Sequence, residues 1–223
     1  MKSGTTVVIS VGGSVIVQDK INIGFLKEFT DLVLSRPERF VVVVGGGGVC
    51  RMYIDAVRSF SVSPDDKDWV GIAATHLNAQ LVRSVFGVHA YEKIITNPLQ
   101  CVKTGKRILV GGGGMPGHST DFDAVELARS YGATRVINVT NVDYLYDSDP
   151  RTNSRAKKIE HASWYQLKKI VGGEWKPGLH APFDPIATKL AARLGLQLVL
   201  VGADVKNISN VLNGGKFKGT IVD

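Results

Sequence analysis

The sequence predicts an α/β fold: a three-layer α/β/α sandwich with a mainly parallel sheet, in a single domain over residues 1–223. Three observations carry this prediction. Runs of β-branched residues alternate along the chain with segments of helical apolar spacing, as in strand–helix–strand units. Val41 to Val44 are apolar with no polar alternation, the pattern of a strand covered on both faces. Three apolar runs also break off into glycines: VVISVGGS at Val7–Ser14, FVVVVGGGGVCR at Phe40–Arg51 and RILVGGGGMPGHSTD at Arg107–Asp121.

In chain order, Thr5–Val11 reads as the first strand, and Asn22 caps a helix with Phe25, Phe29, Leu32 and Val33 at helical spacing. Arg36-Pro37 ends it. The strand at Val41–Val44 passes through Gly45–Gly48 into a helix from about Val49 to Phe60. Ser63-Pro64 opens a long helix through Phe86, with Gly87 as its stop; it carries Asp68, His76 and Asn78 among Trp69, Ile72, Leu77 and Leu81. A short strand near Ile94-Ile95, a small helix after Pro98 and the strand Arg107–Val110 follow. Thr120 and Asp123 stand in capping-box relation at the start of a helix to Tyr131, stopped by Gly132. Arg135–Thr140 is another buried strand, leading into Asn141-Val142-Asp143. Asp147–Lys158 is polar, contains Pro150 and reads as a long functional loop. Ser163 caps a short helix ending at Gly172-Gly173. Asp184-Pro185 opens one whose buried stripe is Ile186, Leu190 and Leu194. Gln197–Val201 and Thr220–Val222 are the last strands, with a helix from about Asn207 between them.

The 223 residues are 44% apolar and 21% charged, enough for a sizeable core in an ordinary α/β protein. The net charge of +7 comes from scattered Lys and Arg, which suits phosphorylated small molecules and gives no specific sign of nucleic acid. Cys50 and Cys101 are too few for a disulfide framework or a thiolate metal site, so a reducing, cytoplasmic setting is expected. No apolar run approaches the length of a membrane span, so neither anchor nor signal peptide is expected. His76, His118 and His161 lack metal-ligand spacing with Cys or acidic partners.

The glycine runs carry the chemistry. Lacking a Cβ, such a turn brings backbone N–H groups close to an anion, and the helix that follows adds its unpaired donors and positive dipole end. Arg51, within a turn of Gly48, adds a cation. Glycines after a strand also serve close helix–sheet packing, which is the alternative for each run alone. In one parallel sheet, however, all three turns lie on one carboxyl edge, where open α/β sheets bind ligands. A ligand or pair of ligands rich in phosphate follows. No run spells G-x-G-x-x-G with a suitable acid behind it, which disfavours a dinucleotide-dependent oxidoreductase.

With these residues laid out, the chain resembles the amino acid kinase family, and within it the archaeal-type uridylate (UMP) kinases. The resemblance rests on VGGSV at Val11–Val15, VVVVGGGGVCRMYI at Val41–Ile54, DWVGIAATHLNA at Asp68–Ala79, GGGGMPGHSTD at Gly111–Asp121, TNVDYLYDSDPR at Thr140–Arg151 and FDPIATKLAARLG at Phe183–Gly195. It implies phosphorylation of UMP to UDP by ATP with Mg²⁺, the part up to about residue 130 binding UMP and residues 131–223 binding ATP. It also implies a homo-oligomer, a hexamer or dimer, packed through the early helices. By position it assigns to the UMP site Gly46, Asp68 and the segment Gly114, Met115, Pro116, Gly117, His118, Ser119, Thr120 and Asp121, with Asp68 as ribose contact. The ATP site receives Gly12, Gly13, Ser14, Gly47, Arg51, Thr140, Asn141, Tyr146 and Asp149. Lys189 matches the lysine that steadies the transferring group, Asp143 the acid that orders the catalytic lysines, and Arg51 a contact to phosphates of both substrates. No residue is assigned as a metal ligand, Mg²⁺ being held mainly by ATP oxygens and water.

Ser10 stands where many members of the family carry Lys, Tyr144 where they carry Gly, Phe122-Asp123 where small apolar residues are usual, and Trp175–Pro182 is an unusual form of its loop. A sibling kinase acting on another small phosphorylated acceptor such as isopentenyl phosphate, or a nucleotide- or oxyanion-binding protein without turnover, are the competing readings. The first of these resembles a pattern with His flanking the central glycines, which Val44 and Val49–Arg51 do not offer.

Overall fold

In the computed structural model, which describes residues 5–150, 152–175 and 181–223, the apolar runs become strands β1 (Thr6–Val11), β2 (Arg39–Val44), β3 (Ile108–Gly111), β4 (Arg135–Thr140), β5 (Leu145–Tyr146), β6 (Lys158–Ile159), β7 (His161–Ala162), β8 (Gln197–Gly202) and β9 (Thr220–Val222). Seven of them form one sheet in the order β3-β2-β1-β4-β8-β9-β7. The first five run parallel, while β9 pairs antiparallel with β8 and parallel with β7. The register sets Val11 beside both Val44 and Val139, Val43 beside Gly111 and Thr140 beside Gly202. The glycine turns after β1, β2 and β3 and the Asn141–Asp143 turn after β4 therefore share one carboxyl edge.

The helices are α1 (Gly13–Ile16), α2 (Ile23–Leu34), α3 (Gly47–Val57), α4 (Pro64–Phe86), α5 (Thr120–Ser130), α6 (Trp164–Val171), α7 (Pro185–Arg193) and α8 (Val205–Asn213). They make two layers, and the pleat explains why the strands show no polar alternation. Ile9, Val11, Val42 and Val44 pack with Phe25 and Phe29 of α2, Ala79, Val82 and Phe86 of α4, and Ile208 and Val211 of α8. Val8, Val41, Val43 and Leu109 point the other way, against α5, Leu167 of α6 and Leu190 of α7. Phe29 is 1% exposed, stacks on Phe25 with ring centroids 5.3 Å apart and meets Phe86 edge-on at 6.5 Å. Burying each such ring stabilises the fold by about 2–3 kcal/mol.

Local capping chemistry sets most boundaries. The Asn22, Ser63, Ser163 and Asp184 side chains accept N–H groups from the first turns of α2, α4, α6 and α7 as anticipated. Elsewhere the structure departs from the sequence reading. Helix α3 begins at Gly47, two residues early, because Gly48 N–H bonds the Val17 carbonyl and anchors the glycines as its first turn. Ser119, not Thr120, caps α5, and Asp204 caps α8 from Val205 rather than Asn207. No helix follows Pro98, where Asn97 Oδ1 instead accepts Leu99 N–H in a local turn. The strand near Ile94-Ile95 reduces to a single bridge between Ile95 and Gly111. The loop over Asp147–Lys158 closes a small hairpin of β5 and β6. Among the described residues no helix is long and apolar enough to cross a membrane.

Candidate active site

The first two turns interlock. A Cβ on Gly13 would stand 2.6 Å from the Gly45 carbonyl oxygen, and one on Gly45 would stand 2.6 Å from the Gly13 nitrogen, so neither position admits a side chain. Gly47 adopts φ +62°, a backbone conformation that costs any other residue. Both readings of these glycines are thus realised: they pack tightly, and they bare backbone. Gly12 N–H goes to Val139, Gly45 N–H to Val11 and Gly48 N–H to Val17. The N–H groups of Gly13, Ser14, Gly46 and Gly47 make none of these bonds and lie at the starts of α1 and α3, where helix geometry leaves donors unpaired. Arg51 joins the two turns, its Nη1 donating to Ser14 Oγ at 2.9 Å. Burial raises the Cys50 thiol pKa beside them.

Helix α4 braces the second and third turns from below. Asn78 Nδ2 donates to the carbonyls of Gly45 and Gly46 at 2.9 and 3.0 Å, and His76 Nε2 to that of Gly113 at 2.7 Å. Thr75 Oγ1 accepts Gly113 N–H at 2.8 Å. His76, Asn78 and Thr75 are supports missed as partners in the sequence; the polar residues on an otherwise apolar helix face were the visible signal.

In the third turn the donors are taken up by carboxylates. Gly114 N–H bonds Asp123 Oδ2 at 3.3 Å, Gly117 N–H bonds Asp68 Oδ2 at 2.8 Å, and Ser119 N–H bonds Asp184 Oδ2 at 2.6 Å. The Trp175 indole N–H reaches the same Asp68 oxygen at 3.4 Å. Asp121 accepts Ser10 Oγ at 2.9 Å and the Asp184 N–H at 3.2 Å. Burial, with the neighbouring Asp184 charge second, pushes the Asp121 carboxyl up from 3.8 to about 7. Burial likewise raises Asp123 well above its ordinary value and lowers His118, which packs on Phe122 with ring centroids 4.1 Å apart. Met115 and Pro116 form the outer lip of this turn, with Met115 exposed.

The fourth turn holds Thr140, whose Oγ1 bridges the N–H and carbonyl of Val142, and Asp143, whose carboxylate lies against Gly202 of β8. Asn141 beside them is exposed. It is Asp121, on the third turn, that meets Ser10 on β1. Tyr146 sits in the β5–β6 hairpin edge-on to Tyr144 at 6.5 Å, and the Asp149 carbonyl accepts Asn153 N–H at 2.8 Å in the loop beyond. Lys189 projects from the second turn of α7, exposed; its Nζ donates to the Gly173 carbonyl at 2.7 Å, and it lines a groove of about 260 Å³ with Trp164, Tyr165, Lys168, Thr188 and Ala192. The Trp175–Pro182 loop lies outside the described residues over 176–180.

Such an edge offers unpaired donors and a guanidinium to polyanions. The comparisons with known proteins agree with that chemistry. The amino acid kinase family pattern matches residues 5–202. Uridylate kinases of Methanospirillum hungatei and Thermococcus onnurineus are 37% and 38% identical, each over 97% of this chain and over 94% and 99% of their own lengths. A crystal structure of uridylate kinase from Archaeoglobus fulgidus superposes with a TM-score of 0.82 at 32% identity, covering 97% of this chain and 99% of that one. A match of this extent, on a sheet whose glycine turns share one edge, makes the chain a member of the amino acid kinase family.

Proposed function

We propose that the chain transfers the γ-phosphoryl group of ATP to the phosphate of UMP, giving UDP and ADP. The observation that carries this reading is the single edge on which turns with unpaired N–H groups, Arg51 and the Asp68-bound third turn meet, in a chain akin to uridylate kinases along its whole length. In this reading the part before about residue 130 holds UMP, with Asp68 and Gly114–Asp121, and the remainder holds ATP, with Thr140, Tyr146 and Asp149.

The attacking oxygen of UMP is already anionic, so the reaction needs no general base. Its obstacle is repulsion between two phosphate-bearing anions, which positioning and positive charge relieve. Arg51 and the N–H groups of Gly13, Ser14, Gly46 and Gly47 supply that charge at the turns. Lys189 serves the transferring group once its ammonium leaves the Gly173 carbonyl, and Asp143 orients it. Mg²⁺ neutralises phosphate charge when bound. In this scheme it would be held mainly by ATP oxygens and water, with little direct ligation by the protein. Exposed Met52 and Tyr53 on α3 and Trp69 and Leu77 on α4 support a homo-oligomer packed through these helices. The setting proposed is cytoplasmic.

A coupled ADP-release assay with Mg-ATP against UMP, CMP, dUMP and isopentenyl phosphate tests the function. Turnover with UMP above the others is the expected result. Turnover only with a non-nucleotide phosphate, or with none, refutes it.

A further inference from the structure

Helix α7 starts at a residue that does more than cap it. Asp184 is 2% exposed, and its two carboxylate oxygens have separate partners. Oδ1 accepts the N–H groups of Ile186 and Ala187, which caps α7. Oδ2 accepts the Ser119 N–H at 2.6 Å, 65 residues away in sequence. The Asp184 N–H donates in turn to Asp121 Oδ2 at 3.2 Å, and the Asp121 N–H to Ser119 Oγ at 3.2 Å. These bonds close a ring between the start of α5 and the start of α7, and Ser10 of β1 joins it through Asp121 Oδ1.

A cap requires one acceptor oxygen, which Ser, Thr or Asn supplies without burying a charge. Among the described residues no ion pair neutralises Asp184. Its charge is held by three backbone N–H groups and the positive end of α7. The second oxygen therefore has a purpose beyond the helix it caps. We propose that Asp184 is a positioning residue for phosphoryl transfer, clamping the acceptor turn through Ser119 to the helix that carries Lys189, so that acceptor and lysine keep one spacing. This deepens the kinase reading above and rests on it. Lys189 lies five residues further along α7, so a displacement at Asp184 is passed on by the rigid helix. Misplacement by about 1 Å costs about a hundredfold in rate.

Asp184→Asn separates the two roles: the amide keeps one oxygen for the cap and turns an NH₂ toward the Ser119 N–H. Asp184→Ser is a second cap-competent variant, with a single hydroxyl that cannot serve both partners. Pro185→Ala weakens the start of α7 without touching the carboxylate and serves as the stability control. Three readouts apply: thermal melting, hydrogen exchange of the Ser119 amide, and steady-state kinetics with UMP and Mg-ATP. In Asp184→Asn the Ser119 amide is expected to exchange at least tenfold faster and kcat to fall at least tenfold, with the KM for ATP within twofold. Pro185→Ala should keep kcat within twofold. Unchanged Ser119 exchange or unchanged kcat in Asp184→Asn overturns the proposal. An equal loss of kcat in Pro185→Ala overturns it too, since the effect then belongs to helix stability, as does failure of both Asp184 variants to fold. Should the parent make no UDP, the kinase reading has failed, and Ser119 exchange by itself decides whether the clamp exists.

Discussion

Replacing Asp121 by Asn should stabilise the protein, and by an amount that grows with pH. In the unfolded chain this carboxyl loses its proton near the ordinary 3.8; in the folded protein, largely withdrawn from water and facing Asp184, it holds the proton to about 7. Between these values the folded state binds more protons than the unfolded one, so stability falls as pH rises through the window. The loss is absent below 3.8 and complete above 7. At about 1.4 kcal/mol per pH unit the full penalty is about 4 kcal/mol. Asp121 keeps part of its surface in water, and screening brings the expected figure to about 2 kcal/mol. Asn reproduces the protonated acid: its oxygen accepts the Asp184 N–H and its NH₂ donates to Ser10 Oγ, the two partners Asp121 has now. The variant should therefore melt about 4–8 °C above the parent at pH 8.5 and close to it near pH 4. Scanning calorimetry at pH 4, 6 and 8.5 measures this. An equal gain at pH 4 and pH 8.5 would refute the reasoning, because a packing effect carries no proton. The same variant should raise the KM for UMP, as expected where a functional site holds strain.

Three further outcomes follow from the geometry. Lys189→Ala should lower kcat about a hundredfold or more while shifting stability by less than about 0.5 kcal/mol, since the side chain is exposed; unchanged turnover removes it from the mechanism. Arg51→Ala should raise the KM for both nucleotides by about tenfold, the value of one charge-assisted contact, and equal Michaelis constants in variant and parent would count against it. Gly13→Ala should destabilise by about 3 kcal/mol or more, because its methyl group would strike the Gly45 carbonyl, which is backbone and cannot rotate away; a melting point within 2 °C of the parent, roughly what 1 kcal/mol is worth, contradicts the packing described.

Much of the fold was legible because its signals are local. An apolar run, a Ser-Pro or Asp-Pro helix start and a glycine stop act within one or two turns, so α2, α4, α6 and α7 and strands β1, β2, β4 and β9 follow closely from their own residues. The errors fall where a distant partner decides. Glycine is a poor helix former, yet Gly47 and Gly48 are helical because the α1 segment supplies the Val17 carbonyl. Strands β5, β6 and β7 are two residues each, too short for any period to register.

The candidate site divides along the same line. By itself the sequence determined the class of the fold, the parallel run of its central strands and the placing of glycine turns at their carboxyl ends, because each depends on spacing within a short segment. Only the tertiary structure decided which of those turns keep their N–H groups unpaired. Asp68, Asp123 and Asp184 take the donors of the third turn, and two of these acids come from 49 and 65 residues away. Competition for a backbone donor is settled by which acceptor the packed layers bring within about 3 Å, and no local pattern of residues encodes that distance.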